Sequence, residues 1–459
     1  MSLRTAFGMT SDIRADSRLH NMTDHNTSLA QKIDGARIAR HIEQLSEIGR
    51  TPQGGVTRLA FTREDMMGRE LLRKWMSEAG LEIHRDAVGN LIGVLRGKNA
   101  DAPILACGSH IDSVVNAGKY DGIVGMLSAV ECARVLSKHG ALHHTLHVIN
   151  FAMEESARFG AGYGFGSRVM AGFEISKQEL FARDRSKVLM ARAIQELKGW
   201  ETGAKIATER TALQVTQKDI EASRYDWTRV RAFLEIHIEQ GPVLERTGKQ
   251  IGIVTAVAAP TRLHIVLTGE QNHSGTTPMH MRHDALAAAA EMILAVERIA
   301  NEFAARQVVG TVGVIQSEPN VMNSIPGRVE LRVDLRSANG EAKREGVASV
   351  QRALEWIAAK RGIGIEIAFL TNEMPVEFAP HVVGAFERVC AAQRVDAMKM
   401  PSGAGHDAAH VARVAPAGMI FIPSKNGVSH DPREFSTTEQ IARGAQILLG
   451  ALLELDATG

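Results

Sequence analysis

The chain has 459 residues, more than one hydrophobic core usually supports, so two domains are expected. Hydrophobic residues make up 44% and charged residues 23%, an ordinary balance for a globular protein. The 53 Lys+Arg against 52 Asp+Glu leave a formal charge of +1 with no basic patch, which argues against a nucleic-acid partner.

Residues 1–30 are polar and aperiodic and read as a mobile arm. The first of them, MSLRTAFGMTSDIRADSRLHN, lack the apolar stretch of a signal peptide. No apolar run is long enough to span a bilayer, so no membrane partner is expected. The three cysteines, Cys107, Cys132 and Cys390, are too scattered for a disulfide framework or a metal knuckle. A cytoplasmic location is the expectation.

Periodicity begins near Asp34, with a helix through Leu45. Ala102–Cys107 is a short apolar strand followed at once by GSHIDSV. Thr145–Met153 is a second, followed by Glu154 and Glu155. The charged stretch Lys177–Ile220 reads as helical. Phe233–Ile238 is a third strand, and Met419–Ile422 a fourth with His430 a few residues on. Short apolar strands alternating with helices predict a mostly parallel sheet covered on both faces. Ligands then bind beyond the carboxyl ends of the strands, where the polar residues gather.

The middle of the chain differs. In Arg328–Arg336, Val329, Leu331, Val333 and Leu335 take one face and charged residues the other, the pattern of a half-exposed antiparallel strand. Leu263–Thr268 and Val308–Ile315 read as strands, Asp284–Phe303 and Glu341–Arg361 as helices. The expected fold is therefore α/β, a mixed, mostly parallel sheet domain (31–255 and 373–459) interrupted by a smaller α+β insert at 256–372.

Chemistry concentrates in four places. His110 and Asp112, then Asp121 before a helix, combine imidazole and carboxylate, good ligands for zinc, manganese or cobalt. The Asp112 carboxylate could fix the His110 tautomer. A packed His110 and a helix-capping Asp121 would account for the same residues. In Glu154-Glu155, one acid can bind metal while its neighbour acts as a base; a solvated turn, or Glu155 paired with Arg158, is the plainer reading. Strand alternation puts Glu235, His237 and Glu239 on one side, and a C-terminal loop carries His430 and Glu434.

The segments GSHIDSV…KYDG, EE-SARFG, EIHIEQGP, NHSGTTPM, NSIPGRVELRVDLR, SGAGHDA and VSHDPRE occur in this order. Together they resemble the M20 metallohydrolase superfamily, and more narrowly its hydantoinase/carbamoylase branch, over nearly the whole chain from about residue 35. EIHIEQGP is the most branch-specific, because peptidase members usually place a carboxylate where His237 stands. The resemblance implies a di-metal catalytic domain with a ferredoxin-like lid and dimerisation domain. It implies two divalent ions (Zn, Mn or Co) per subunit, one held by His110 and His237, the other by Glu155 and His430, with Asp121 bridging. Glu154 would be the general base, and Asp112 a further catalytic residue through its place beside His110. His273, offered by the other subunit of a homodimer, would stabilise the oxyanion. Asn323 and Arg336 would grip a substrate carboxylate, Gln240 would meet the ureido group, and the amides of Gly403 and Gly405 would assist. Without the resemblance, Arg336 reads as a surface ion pair near Asp334.

The implied substrate is a small ureido or N-carbamoyl carboxylate. Hydrolysis of N-carbamoyl-L-amino acids is the expectation, with allantoate, ureidoglycolate or 3-ureidopropionate as alternatives and an inactive scaffold as a remote one. Other candidates carry less. His143, His144 and His147 read as solvated or hydrogen-bonded, His280 and His283 as helix-start residues, and His406 as supportive. Cys107 has no activating neighbour, Gly160–Gly166 lacks GxGxxG spacing, and there is no GxSxG elbow.

Overall fold

The computed structural model describes residues 26–140, 142–160, 162–202 and 215–457. Two units follow from the way these residues pack. The first is the chain up to Thr255 with Phe378–Met400 and the stretch from His406 onward; the second is Ala256–Glu377 with Pro401–Gly405. The second unit thus runs past the expected boundary at 372. The reason is a short strand, Val376–Glu377, that pairs with Ala256 and Val257. Of the expected arm, residues 1–25 lie outside the described residues. Residues 26–30 are helical, and Leu29 and Ala30 are buried, so this end of the arm is anchored by its apolar side chains.

The strands in chain order are β1 (Glu82–Arg85), β2 (Leu91–Leu95), β3 (Ile104–His110), β4 (Leu146–Phe151), β5 (Val230–Ile238), β6 (Ile251–Val257), β7 (Ala259–Thr268) and β8 (Asn272–His273). There follow β9 (Val308–Glu318), β10 (Ser324–Ile325), β11 (Arg328–Ser337), β12 (Gly364–Asn372), β13 (Val376–Glu377), β14 (Ala397–Ser402) and β15 (Ala417–Ile422).

The large sheet has the order β1-β2-β4-β3-β5-β15-β6-β13, with β14 also on β6. Its centre, β4-β3-β5-β15, is parallel, and the flanking pairs are antiparallel. Both faces of the centre are covered, so β3 and β15 are buried at every residue. A buried Leu or Ile there contributes roughly 1.5–3 kcal/mol. The helix Gly35–Ser46 begins where the Asp34 side chain accepts from the Arg37 N–H, and it buries Ile38, Ile42 and Leu45 along one face. In the 177–220 region the helices Lys177–Leu180 and Met190–Thr202 turn Leu180, Met190, Ile194 and Leu197 onto Phe61, Val88 and Phe165.

The second unit is a four-stranded antiparallel sheet, β12-β7-β11-β9. Val329, Leu331, Val333 and Leu335 of β11 face a core shared with Met292, Val296, Val350 and Leu354 from the helices Ala285–Glu302 and Gly340–Arg361. Asp284 caps the first helix through the N–H groups of Leu286 and Ala287. Among the described residues no helix is long and apolar enough to cross a membrane.

Candidate active site

The parallel centre of the large sheet delivers its polar residues to one end, as open α/β sheets do. His110 is the last residue of β3, and His237 the penultimate residue of β5. Glu154 and Glu155 follow β4, and His430 lies in the loop after β15. Asp121 sits in the turn before the helix Ile123–His139. Three residues in this region hold left-handed backbone without being glycine: Met153 (φ 54°), Gln240 (φ 57°) and His430 (φ 56°). Such strain persists where surrounding structure over-determines it, commonly at functional sites.

Asp121 is the hinge of the arrangement. Its Oδ1 lies 3.1 Å from His237 Nε2 and 3.6 Å from His110 Nε2. Its Oδ2 lies 3.2 Å from His430 Nε2, which is itself 3.1 Å from Glu155 Oε1. Two groups that could each hold a cation result, His110–Asp121–His237 and Asp121–Glu155–His430, each with donor atoms within 4.8 Å of one another. The first is buried; the His430 side chain is 46% exposed, which leaves the second open to incoming molecules. The rings are aimed by their far nitrogens. His237 Nδ1 faces the Ile238 carbonyl at 2.9 Å and His110 Nδ1 the Asp112 carbonyl at 3.1 Å, so both Nε2 atoms point inward. The donor set of imidazoles and carboxylates, one carboxylate oxygen toward each set, fits a pair of divalent cations.

Gly122, next to Asp121, has φ 68°, and a Cβ there would fall 2.3 Å from His110 Nε2. Only glycine lets this turn pass beneath the ring.

The expected pairing of the Asp112 carboxylate with the His110 ring is no more than a 3.6 Å approach. The carboxylate is instead taken up by backbone, its Oδ1 accepting from the Glu154 N–H (3.2 Å) and its Oδ2 from the Glu155 N–H (3.1 Å). Asp112 therefore braces the acidic pair. Glu154 Oε2 stands 3.8 Å from His110 Nε2. Burial, opposed by the His110 charge and reinforced by Glu155 and Asp407, holds the Glu154 carboxyl well above the usual carboxylate range. Burial would raise Asp121 too, but the His237 charge and hydrogen bonds from three histidines hold it well below that range.

Gln240 donates through Nε2 to Asp121 Oδ2 (2.6 Å) and to Ser429 Oγ (3.2 Å), while its Oε1 is buried without a hydrogen-bond partner. His406 is buried, its ring edge-on to His237 at 4.6 Å, and Glu235, His237 and His406 form a further grouping. Both Glu235 oxygens are already occupied, by Ser109 Oγ (2.8 Å) and the Ala408 N–H (2.9 Å).

The remaining candidates belong to the second unit. Arg336 grips Asp334 with Nε (2.9 Å) and Nη2 (3.2 Å) and reaches the Gly403 carbonyl with Nη1 (3.3 Å). The ion pair foreseen as its plain alternative is present, and Gly403 contributes its carbonyl there. Gly405 belongs to the same 401–405 segment. His273 on β8 pairs with Ser324 on β10, and Asn323 accepts from the Ser274 N–H (3.1 Å). The Gly275 N–H donates to His273 Nδ1 (3.0 Å), which leaves Nε2 to carry the ring proton.

Outside the site, His144 pairs with Asp456 (2.8 Å) and His147 with the Tyr225 hydroxyl (2.5 Å), as hydrogen-bonded histidines do. Burial pushes the Cys107 thiol up to about 12, which makes it inert. Glu434 and Ser429, in contact with the Asp121 turn, escaped the sequence reading of roles. Their only signal is position within VSHDPRE.

A family model described as peptidase family M20/M25/M40 matches residues 106–454. An N-carbamoyl-L-amino acid amidohydrolase of Geobacillus stearothermophilus is 38% identical over 424 residues, 92% of this chain and 99% of that protein. A ureidoglycolate hydrolase of Arabidopsis thaliana is 35% identical over 434 residues, 94% of this chain and 88% of that protein. The crystal structure of an amidase of the hydantoinase/carbamoylase family from Burkholderia multivorans superposes with a TM-score of 0.81 at 34% identity, covering 92% of this chain and 98% of that one.

Proposed function

Because this chain belongs to the M20/M25/M40 peptidase family, in its hydantoinase/carbamoylase branch, we propose that it hydrolyses N-carbamoyl-L-amino acids to the L-amino acid, ammonia and carbon dioxide. The observation that carries this reading is the Asp121 carboxylate, one oxygen toward His110 and His237 and the other toward His430, with Glu154 beside them. His110, His237, Asp121, Glu155 and His430 would hold two divalent cations (zinc, manganese or cobalt), which when bound would supply Lewis acidity and a lowered pKa for water. Glu154 takes the proton of the attacking water and returns it to the leaving nitrogen. Its raised carboxyl suits a group that must take up a proton and release it again. Release of ammonia from N-carbamoyl-L-amino acids tests the reading. Turnover of ureidoglycolate or allantoate in their place would keep the mechanism and move the substrate.

Cation binding is pH-dependent on this account. Hydrogen bonds from His430 to Asp121 and Glu155 raise its imidazole from 6.5 to about 10. A cation taking that nitrogen must displace a proton, so apparent affinity rises with pH throughout the range below about 10. Competitive metal titrations at pH 6, 7 and 8 check this; affinity flat across them contradicts it.

Arg336, with Asn323 and the 403–405 segment, grips the substrate carboxylate. Asp334 fixes the guanidinium plane through Nε and Nη2, and a guanidinium fork suits a carboxylate in two-point contact. Arg336→Lys should raise KM for carboxylate substrates about tenfold, roughly 1.4 kcal/mol, with kcat little changed. An unaltered KM places the carboxylate elsewhere.

His273 stabilises the oxyanion of a site in a second copy of the chain. Supporting this are its exposed ring and the Nδ1 contact that leaves Nε2 as donor. The edge strand β9, with Val309 61% exposed and Val314 and Ile315 also outward, supports a homodimer through the second unit. His273→Ala should lower turnover about 10²–10³-fold with ion content unchanged. Mixing His273→Ala chains with Glu154→Gln chains should restore activity, since a mixed dimer contains one complete site. No recovery, with subunit exchange verified, contradicts donation across the dimer.

A further inference from the structure

We infer that Glu434 is a positioning residue that sets the spacing of the two cation positions by pinning the Asp121 turn to the loop bearing His430. The inference rests on the ligand assignment above. Glu434 lies four residues beyond His430 and is buried. Its Oε1 accepts from the main-chain N–H groups of Tyr120 (2.8 Å) and Asp121 (3.1 Å), and its Oε2 from the Ser429 hydroxyl (2.9 Å). One carboxylate thus grips the backbone of the bridging residue and the side chain next to His430.

The pin is backed by a ring of contacts. Ser429 Oγ also lies 3.0 Å from Asp121 Oδ2, and Gln240 Nε2 reaches both of them. The Tyr120 ring packs edge-on against Phe435 at 5.8 Å, which ties the same two segments a second time. An independent observation comes from Gly118. A Cβ there would lie 2.3 Å from the Glu434 Cβ and 2.4 Å from its Oε1, so the close approach requires glycine. Glu434 is not itself a ligand in this geometry, because N–H and O–H donors occupy both of its oxygens. What it controls is the distance between Asp121, shared by both sets, and His430, which belongs to one. Losing it should therefore loosen the Glu155–His430 position and leave the His110–His237 position in place.

The test uses full-length enzyme loaded with Mn²⁺. Ions per chain come from elemental analysis, affinities from competitive titration, and the bridge from spin coupling in electron paramagnetic resonance. Wild type is expected to hold two coupled ions. Glu434→Ala should weaken the second ion about 10–100-fold and abolish the coupling, with the first ion retained. Gly118→Ala, which removes no hydrogen-bonding group, should do the same by displacing the carboxylate. Glu434→Gln keeps an oxygen for the two amides and should retain the coupled pair. A coupled pair of wild-type affinity in both Glu434→Ala and Gly118→Ala overturns the inference alone. Should Glu434→Ala fail to fold, Gly118→Ala and Glu434→Asp, one methylene too short to span both segments, decide it in the same way. A wild-type enzyme without a coupled pair overturns the ligand assignment, and the inference with it.

Discussion

Glu154→Gln lowers turnover about 10²–10⁴-fold, the span typical of losing a general base, while both cations stay bound. The amide is nearly isosteric with the carboxyl and cannot carry the proton from water to the leaving nitrogen. Retention of ions is expected because neither cation depends on Glu154. The two ligand sets are His110–Asp121–His237 and Asp121–Glu155–His430, and Glu154 Oε2 stands 3.8 Å from the nearest ring nitrogen. Placement should hold as well, since Asp112 braces the main chain of both acids through their amides. Elemental analysis beside initial rates reads both quantities. Full activity in the Glu154→Gln enzyme rules Glu154 out as the base; lost activity with lost ions makes it a ligand.

Asp121→Ala has the other large effect and a different signature. One carboxylate serves both sets, so its removal loosens both cations and leaves His110 and His237 facing each other without the shared charge. Ion content should fall below two per chain. Turnover should drop about 10³-fold, equivalent to roughly 4 kcal/mol of transition-state stabilisation. Excess Mn²⁺ or Co²⁺ should recover little of it. Two tightly bound ions and near-normal rates in this variant would show that the bridge lies elsewhere.

Much of this site was legible in the chain because buried parallel strands read as continuous apolar runs and their ends announce themselves. β4 and β5 led straight to Glu154, Glu155 and His237. The limit of β3 was harder. GSH looks like a turn, yet the strand continues to His110, because Gly108 lies where a Cβ would be 1.9 Å from the Ile149 carbonyl of the neighbouring strand. Glycine there marks close backbone approach. His430 lies in an irregular loop with no periodicity, so the residues marked the place and only family likeness gave it a ligand role. Asp112 stands beside the His110 ring as expected, at 3.6 Å, but composition could not reveal that the same carboxylate also accepts from the Glu154 and Glu155 amides, which the fold points at it. Glu434 was noticed in its loop but given no role, and Gly118 stayed silent, because the contacts that join Glu434 to Gly118, Tyr120 and Asp121 span more than three hundred positions of the chain. In the second unit the alternation of β11 announced its buried face, Asp284 marked the start of the helix it caps, and the second helix begins at Gly340, one residue before the expected Glu341, with Asn339 as its cap.

The most direct test of the central claim is ammonia release by enzyme stripped of metal and reconstituted with Mn²⁺, Co²⁺ or Zn²⁺. The substrates are N-carbamoyl-L-amino acids, their D-enantiomers, allantoate, ureidoglycolate and 3-ureidopropionate. The account predicts hydrolysis that depends on added metal and is strongest with N-carbamoyl-L-amino acids over their D-enantiomers. Activity undiminished in verified metal-free enzyme, or no turnover of any ureido substrate with both ions bound, would contradict it.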